Sequence, residues 1–140
     1  EPYAIPFGEA NIAREGKDET IVTYGLMVQK SLEAADMLKK DDIDVEVIDL
    51  RTLSPIDMDT VIESVEETGR LVCVDEANPR CSIATDVSAC VARDAFKALK
   101  SPIEMVTPPH TPVPFSPSLE DIYIPSADRI ADAVRKTMEA

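Results

Sequence analysis

Short apolar runs alternate with stripes of helical period along this chain, an order that commits it to a mostly parallel sheet covered by helices. Thr20–Tyr24 (TIVTY) ends at Gly25 and leads into Leu26–Lys39, where Val28, Leu32, Ala35 and Leu38 recur at helical spacing. Asp41 and Asp42 end that helix, and Val45–Leu50 (VEVIDL) follows as a strand. Strand, helix and strand in this order make a βαβ unit with parallel strands and a right-handed crossover. The pattern then repeats. Ser54-Pro55 supplies an N-cap with proline at the first helical position and Asp57 at the third, ahead of an apolar face of Met58, Val61, Ile62 and Val65, and Gly69 closes the helix. Arg70–Val74 (RLVCV) is almost unbroken by polar residues, as suits a strand covered on both faces. After the turn Asp75–Cys81, a helix over Ser82–Leu99 carries Ile83, Val87, Cys90, Val91, Ala95 and Ala98. Pro102 introduces a last strand, Ile103–Thr107 (IEMVT), and Ser126 caps a final helix buried through Ile130, Ala133, Val134 and Met138.

With 140 residues, 44% of them hydrophobic, the chain has material for a single core. Residues 1–18 form a lead-in in which Ala10–Arg14 (ANIAR) adds an edge strand, set antiparallel, and 19–140 form one α/β domain. The expected architecture is three layers, α/β/α, around about five strands. The first residue is Glu1 rather than methionine, and Glu1–Gly8 reads as extended, so the expectation is a piece of a longer polypeptide.

Between the last strand and the last helix lies Pro108–Pro125 (PPHTPVPFSPSLEDIYIP), holding six of the 11 prolines and the only histidine, His110. Proline fixes φ and lacks a backbone donor, which excludes helix interior and central strand. Val113, Phe115, Leu119, Ile122 and Ile124 would be costly to leave in water. The segment is therefore expected to be an ordered strap laid on a surface, with Val113, Phe115 and Tyr123 packing on its own domain or on a neighbouring subunit and His110 at its edge.

A net charge of −13 repels phosphate backbones and anionic headgroups, so nucleic acid and acidic membranes are excluded as partners and a basic protein surface is favoured. No run reaches the roughly 18 apolar residues that span a bilayer, and no signal segment opens the chain. The expectation is a soluble, cytoplasmic protein. Three cysteines cannot all pair, and the spacing of Cys73, Cys81 and Cys90 fits no metal knuckle. Cys73 and Cys90 read as buried small hydrophobes, whereas Cys81 precedes a helix start beside Arg80, where a redox thiol is conceivable although no histidine base is near in sequence.

The strand ends offer little else. Gly25 stands alone, without a dinucleotide or triphosphate motif. Asp75 and Glu76 are adjacent and should point apart, and Asp49 with Arg51 reads as a buried ion pair between loops. A flavodoxin-like phospho-acceptor using Asp49 or Asp75 would need acids after the first strand and a lysine after the last, and neither is present. No catalytic, cofactor-binding or metal-binding residue is assigned.

The stretches VIDLRTLSPID (Val47–Asp57), Thr68-Gly69-Arg70, TPVP (Thr111–Pro114) and LEDIY (Leu119–Tyr123), in the element order above, closely resemble the carboxy-terminal domain of the E1 component β subunit of thiamine-diphosphate-dependent 2-oxo acid dehydrogenases. VDEANPRCS (Val74–Ser82) and PHTPVPFSPSLED (Pro109–Asp121) look most like the acetoin dehydrogenase branch; the pyruvate branch more often has a glycine-rich stretch after the glutamate and an aspartate at His110. The same domain of a pyruvate or branched-chain enzyme is the alternative. The resemblance implies a transketolase carboxy-terminal fold, mostly parallel with one antiparallel edge strand. It also implies thiamine diphosphate and Mg held in the full heterotetramer by the α subunit and the amino-terminal part of β, none of it in this fragment, which is expected to be inactive alone. The implied partners are the E1 α subunit, a second β subunit and the basic subunit-binding domain of the E2 acyltransferase. His110, Val113, Phe115 and Tyr123 are the interface candidates.

Overall fold

The structure, a computed structural model, describes residues 3–140 and has as its middle layer five strands, β1 (Asn11–Arg14), β2 (Glu19–Thr23), β3 (Val45–Asp49), β4 (Leu71–Val74) and β5 (Glu104–Val106). Their order across the sheet is β1-β3-β2-β4-β5. β2 is parallel to β3 and β4, and β4 to β5, while the edge strand β1 runs antiparallel to β3 with a shifted register between Ile12 and Arg14. Gly16, in the turn from β1 to β2, is required by close approach: a Cβ there would lie 2.2 Å from the carbonyl carbon of Val45.

Alternate residues of each strand serve opposite layers. Ile21, Val47, Val72, Val74 and Val106 pack with α1 (Leu26–Leu38) and α5 (Ala127–Glu139) through Ala35, Leu38, Ile130 and Val134. Val22, Ile48, Leu71 and Cys73 pack on the other face with α2 (Met58–Thr68) and α3 (Ile83–Asp94) through Val61, Val65, Val87 and Val91. Each buried valine, leucine or isoleucine among them contributes roughly 1.5–3 kcal/mol. The three-layer α/β/α sandwich with one antiparallel edge strand is thus the architecture the chain adopts.

Several local expectations are corrected. α2 begins at Met58, and its cap is Asp57 rather than Ser54: Asp57 Oδ1 accepts from Thr60 N at 3.2 Å, while its Oδ2 accepts from Thr60 Oγ1 at 2.8 Å and from Ala10 N at 2.9 Å. Burial pushes the Asp57 carboxyl up, but these donors outweigh it and hold it below the usual carboxylate range. One carboxylate therefore caps a helix and anchors the lead-in. The third helix stops at Asp94 and is followed by a single 3-10 turn, Phe96–Ala98. Cys90 is only half-buried, because it sits at the margin of the α3 stripe. In α5 the buried positions are Ile130, Ala131, Val134 and Thr137, with Ala133 and Met138 half-covered. The proline segment contains a short helix, α4 (Pro117–Tyr123). Pro117 occupies its first position, where a missing N–H costs nothing, and the Ser116 carbonyl accepts from Leu119 N and Glu120 N at 3.0 and 2.9 Å. Among the described residues no helix is long and apolar enough to cross a membrane.

The amino end of β2 carries a buried carboxyl. Glu19 is fully enclosed, with Oε2 against the Thr137 hydroxyl of α5 and Oε1 without a partner. The Thr137 hydroxyl also lies 2.7 Å from the Val134 carbonyl. One hydroxyl proton cannot serve both acceptors, and a protonated Glu19 removes the conflict by donating. Burial pushes the Glu19 carboxyl up to about 8, against the opposing Thr137 contact and the Arg70 charge. The folded state then keeps a proton that the unfolded chain, with its carboxyl at the ordinary value of 4.5, releases at lower pH. This contribution is fully present below the unfolded value and is lost as pH rises through the folded one. Glu19→Gln is therefore expected to gain on the wild type by a few kcal/mol, order of magnitude, between about pH 5 and about pH 9. Urea midpoints of both proteins at the two pH values read this directly, and a difference that does not change with pH sinks the assignment of a neutral Glu19.

Candidate functional site

The carboxyl ends of parallel strands are where loops gather side chains into sites. After β2, Gly25 has φ 60 and starts α1; a single glycine permits this turn and builds no phosphate cradle. After β4, Asp75 is buried and occupied by its own loops: Oδ1 accepts from Tyr24 Oη at 2.7 Å and Ala77 N at 2.9 Å, and Oδ2 from Ala84 N at 3.3 Å. Burial, then the Asp75 acceptor, raises the Tyr24 hydroxyl well above its ordinary range. Glu76 is exposed, so the two acids diverge as expected. This Tyr24–Asp75 pair ties the loops after β2 and β4 to the start of α3. Sequence reasoning missed it, because a tyrosine and an aspartate 51 residues apart leave no local signal.

The expected buried ion pair of Asp49 and Arg51 does not form. Arg51 is exposed with φ 56, which turns its backbone N–H onto Asp49 Oδ1 at 3.1 Å and its side chain towards water. Cys81 is likewise exposed, with φ 53, and no hydrogen bond among the described residues reaches its thiol. Ser82 forms a reciprocal cap with Thr85 directly after it. Cys73, by contrast, is enclosed, and burial pushes its thiol up to about 12.

The space between these loops is a cavity of about 10 Å³ lined by Val22, Tyr24, Leu50, Cys73, Ile83 and Val87. A diphosphate needs several converging N–H donors, and Mg needs oxygen ligands. No group of three or more His, Cys, Asp or Glu among the described residues could hold a metal ion. The residues at the strand ends therefore do not fit thiamine diphosphate and its metal.

The strap after β5 is different in kind. It is held from beneath by buried Thr107, Pro108, Tyr123 and Pro125. Arg129 Nη2 donates to the Thr107 carbonyl at 2.8 Å, and Tyr123 Oη to the Thr111 carbonyl at 3.3 Å. Above these anchors Val113, Phe115, Leu119 and Ile122 point outward, with Phe115 fully exposed and Ile122 79% exposed. Pro109, Pro112, Pro114, Leu119, Ile122 and Tyr123 line an apolar groove of about 240 Å³ beside them, and His110 is exposed next to Pro109. Packing of Val113 and Phe115 on their own domain is thus overturned, whereas Tyr123 does pack there. Prolines at 108, 109, 112 and 114 leave few donors with which to tie the strap down.

Residues 8–130 match the family described as transketolase, C-terminal domain. The chain is 73% identical over 137 residues to the acetoin:2,6-dichlorophenolindophenol oxidoreductase subunit beta of Cupriavidus necator, covering 98% of this chain and 40% of that one. It is 54% identical over 128 residues to the subunit of the same name in Bacillus subtilis (91% and 37%), and 45% identical over 139 residues to the Bacillus subtilis pyruvate dehydrogenase E1 component subunit beta (99% and 42%). Among solved structures, a split gene transketolase, an inactive beta4 tetramer, superposes with a TM-score of 0.84 at 29% identity, covering 98% of this chain and 43% of that one. The chain thus spans about two fifths of the length of the curated relatives it matches. With its strand order, its single antiparallel edge and a family match over nearly its whole length, the chain belongs to the transketolase C-terminal domain family.

Proposed function

We propose that this chain is the carboxy-terminal assembly domain of the E1 β subunit of a thiamine-diphosphate-dependent acetoin dehydrogenase. The observation that carries the substrate is the identity of 73% to an acetoin-named subunit against 45% to a pyruvate-named one. The same domain in a pyruvate or branched-chain enzyme is the weaker reading. In the assembled enzyme the cofactor supplies carbanion stabilisation for cleavage of acetoin, the two-carbon unit passing to a lipoyl group or an artificial acceptor. Thiamine diphosphate and Mg are held by the α subunit and the amino-terminal part of β. A cytoplasmic location goes with this reading. Assaying the intact enzyme with acetoin and with pyruvate against a dye acceptor decides the substrate; a higher kcat/KM for pyruvate reverses it.

This chain's part is to bind and orient subunits. Outward apolar side chains at Val113, Phe115, Leu119 and Ile122, the last two lining a groove of about 240 Å³, are what an uncovered monomer avoids, which supports contact with the α subunit or a second β subunit. Tyr123 holds the strap from beneath and His110 lies at its rim. The net charge of −13 supports encounter with a basic subunit-binding domain of the acyltransferase.

Because Phe115 has no contact to lose within the chain, Phe115→Ala is expected to change the unfolding free energy of the isolated chain by less than about 0.5 kcal/mol. It should weaken assembly with the α subunit by roughly 1–3 kcal/mol, seen as a shift of the heterotetramer boundary in sedimentation velocity. Lost stability with unchanged assembly removes the interface role. Isothermal titration of the chain with thiamine diphosphate and Mg should give no binding heat, and micromolar affinity overturns the location of the cofactor in the other parts of the enzyme.

A further inference from the structure

Among the described residues Glu19 is the only acid with a buried oxygen that nothing meets. Its other oxygen faces the hydroxyl of Thr137, in the last turn of α5, and that hydroxyl also lies 2.7 Å from the Val134 carbonyl. Thr137 has a second tie at the same junction. Its carbonyl, one of those at a helix end that lack an intrahelical donor, accepts from Arg70 Nε at 3.3 Å. Arg70 Nη1 reaches only the Asp18 carbonyl, at 3.5 Å, so both of its bonds are long. Arg70 forms no ion pair among the described residues. The other charges around the junction are committed elsewhere or exposed. Asp18 Oδ2 accepts from Asp44 N at 2.9 Å, Arg135 pairs with Asp41 and Asp132, and Lys136 pairs with Glu104. On β3, Glu46 is aligned with Thr20 and so lies on the opposite face of the sheet, and Lys39 and Glu139 are exposed.

We propose that Glu19 is a proton-held latch on the last turn of α5, with Arg70 as the part that changes partner. With Glu19 neutral, its O–H donates to Thr137 Oγ1, that hydroxyl donates to the Val134 carbonyl, and Arg70 holds the Thr137 carbonyl. Both ties from the sheet to the helix end are then made. Loss of the proton to water removes the first, because a carboxylate has nothing to donate and the single Thr137 proton must choose between two acceptors. It also removes the second. A buried anion is costly until paired, and a charge-assisted bond to the guanidinium is stronger than the two long bonds that Arg70 makes to carbonyls. Arg70 therefore turns to Glu19, and Thr137 is released. Burial pushes the Glu19 carboxyl up to about 8, with the Thr137 contact and then the Arg70 charge opposing it. The latch is closed below that pH and opens as pH rises through it. The amino end of α5 is held by Ser126 on Arg129 N at 3.3 Å and by Arg129 Nη2 on the Thr107 carbonyl, bonds in which Glu19 takes no part. Opening is thus local to the carboxy-terminal end, and the strap keeps its base.

The test is carbon-detected NMR of the full chain from about pH 6 to about pH 10, which follows the Glu19 carboxyl and the backbone Cα shifts together without depending on amide exchange. The Cα shifts of Thr137, Met138 and Glu139 are expected to lose about half of their helical displacement in step with the Glu19 carboxyl, while those of Asp128–Ile130 and of α1 hold. Glu19→Gln, whose amide donates but does not ionise, should keep the last turn helical across the range. Arg70→Gln keeps a donor for Thr137 and removes the charge, so the Glu19 midpoint should rise by about one pH unit and the loss of helix should move with it. The proposal is overturned if the carboxyl titrates near the ordinary value of 4.5, or titrates near 8 with residues 137–139 unchanged. The same loss in Glu19→Gln, or an unmoved midpoint in Arg70→Gln, overturns it as well. So does a loss shared by α1 and Asp128–Ile130, since the event is then opening of the whole domain. The correlation within the wild type decides the matter even where a variant does not fold.

Discussion

β2 lies in the middle of the sheet with a parallel neighbour on each side, and all five of its residues are buried. A strand so placed cannot hand its polar groups to water, so each must find a partner within the protein. Thr20 does so on the α2 face, where its Oγ1 lies 2.6 Å from Ser64 Oγ and 2.8 Å from Thr68 Oγ1. Thr23 donates to the Val74 carbonyl at 2.9 Å. Glu19 meets Thr137 from α5, and Arg70 is drawn across the same junction by its bonds from Nε to the Thr137 carbonyl and from Nη1 to the Asp18 carbonyl. These polar contacts attach both helical layers to the central strand at positions that apolar packing alone would leave free to slide. Loss of one partner leaves a buried donor or acceptor unmet, at about 1–3 kcal/mol.

The same demand explains why the carboxyl ends of the strands hold so little chemistry. Asp75 is a buried acid at the place where α/β folds usually expose one, yet Tyr24 and two backbone amides take up its oxygens. Its role is to lock the loop that precedes α3, and the 10 Å³ left between the loops holds about one water at most. Rigidity at that end gives the strap a firm base, since Thr107 and the Asp75 loop leave adjacent parallel strands, with Asp75 N donating to the Val106 carbonyl at 3.1 Å. A surface that presents Phe115 and Ile122 to another chain loses less on association when its base is already ordered.

The alternation of strands and helices was legible because apolar residues fall with period 2 or 3.6 and because Gly69, Ser82 and Ser126 mark helix ends by mechanism. The errors fall where two local signals compete. Ser54-Pro55 and Asp57 both look like helix starts, and tertiary contact with Ala10, invisible to any short window, favours the aspartate. The proline strap reads as non-helical on composition, but a proline at a first helical position costs nothing, and so α4 forms. The outward direction of Val113 and Phe115 was not legible at all: hydrophobicity says that a side chain wants cover and is silent on whether its own chain supplies it. Glu19 and Phe96 escaped for the converse reasons, a charged residue inside and an aromatic outside, each decided by neighbours distant in sequence.

Exposed aromatics at both ends of one sheet place different electrostatic conditions on what can cover them. Beyond Phe115 the chain carries Glu120 and Asp121 on α4, whereas Phe96 shares its grooves with Lys97 and Lys100 and with Glu66, Arg93 and Asp94. Apolar attraction is indifferent to the identity of its partner, so two such surfaces on one small domain would accept the same ligand unless something discriminated between them. The two surfaces differ in the charges set beside them, mixed around Phe96 and acidic along α4, and that difference contributes to discrimination. The sheet between them, closed on both faces by helices and pinned along β2, keeps the two surfaces at a fixed separation, so that one can be covered without opening the other.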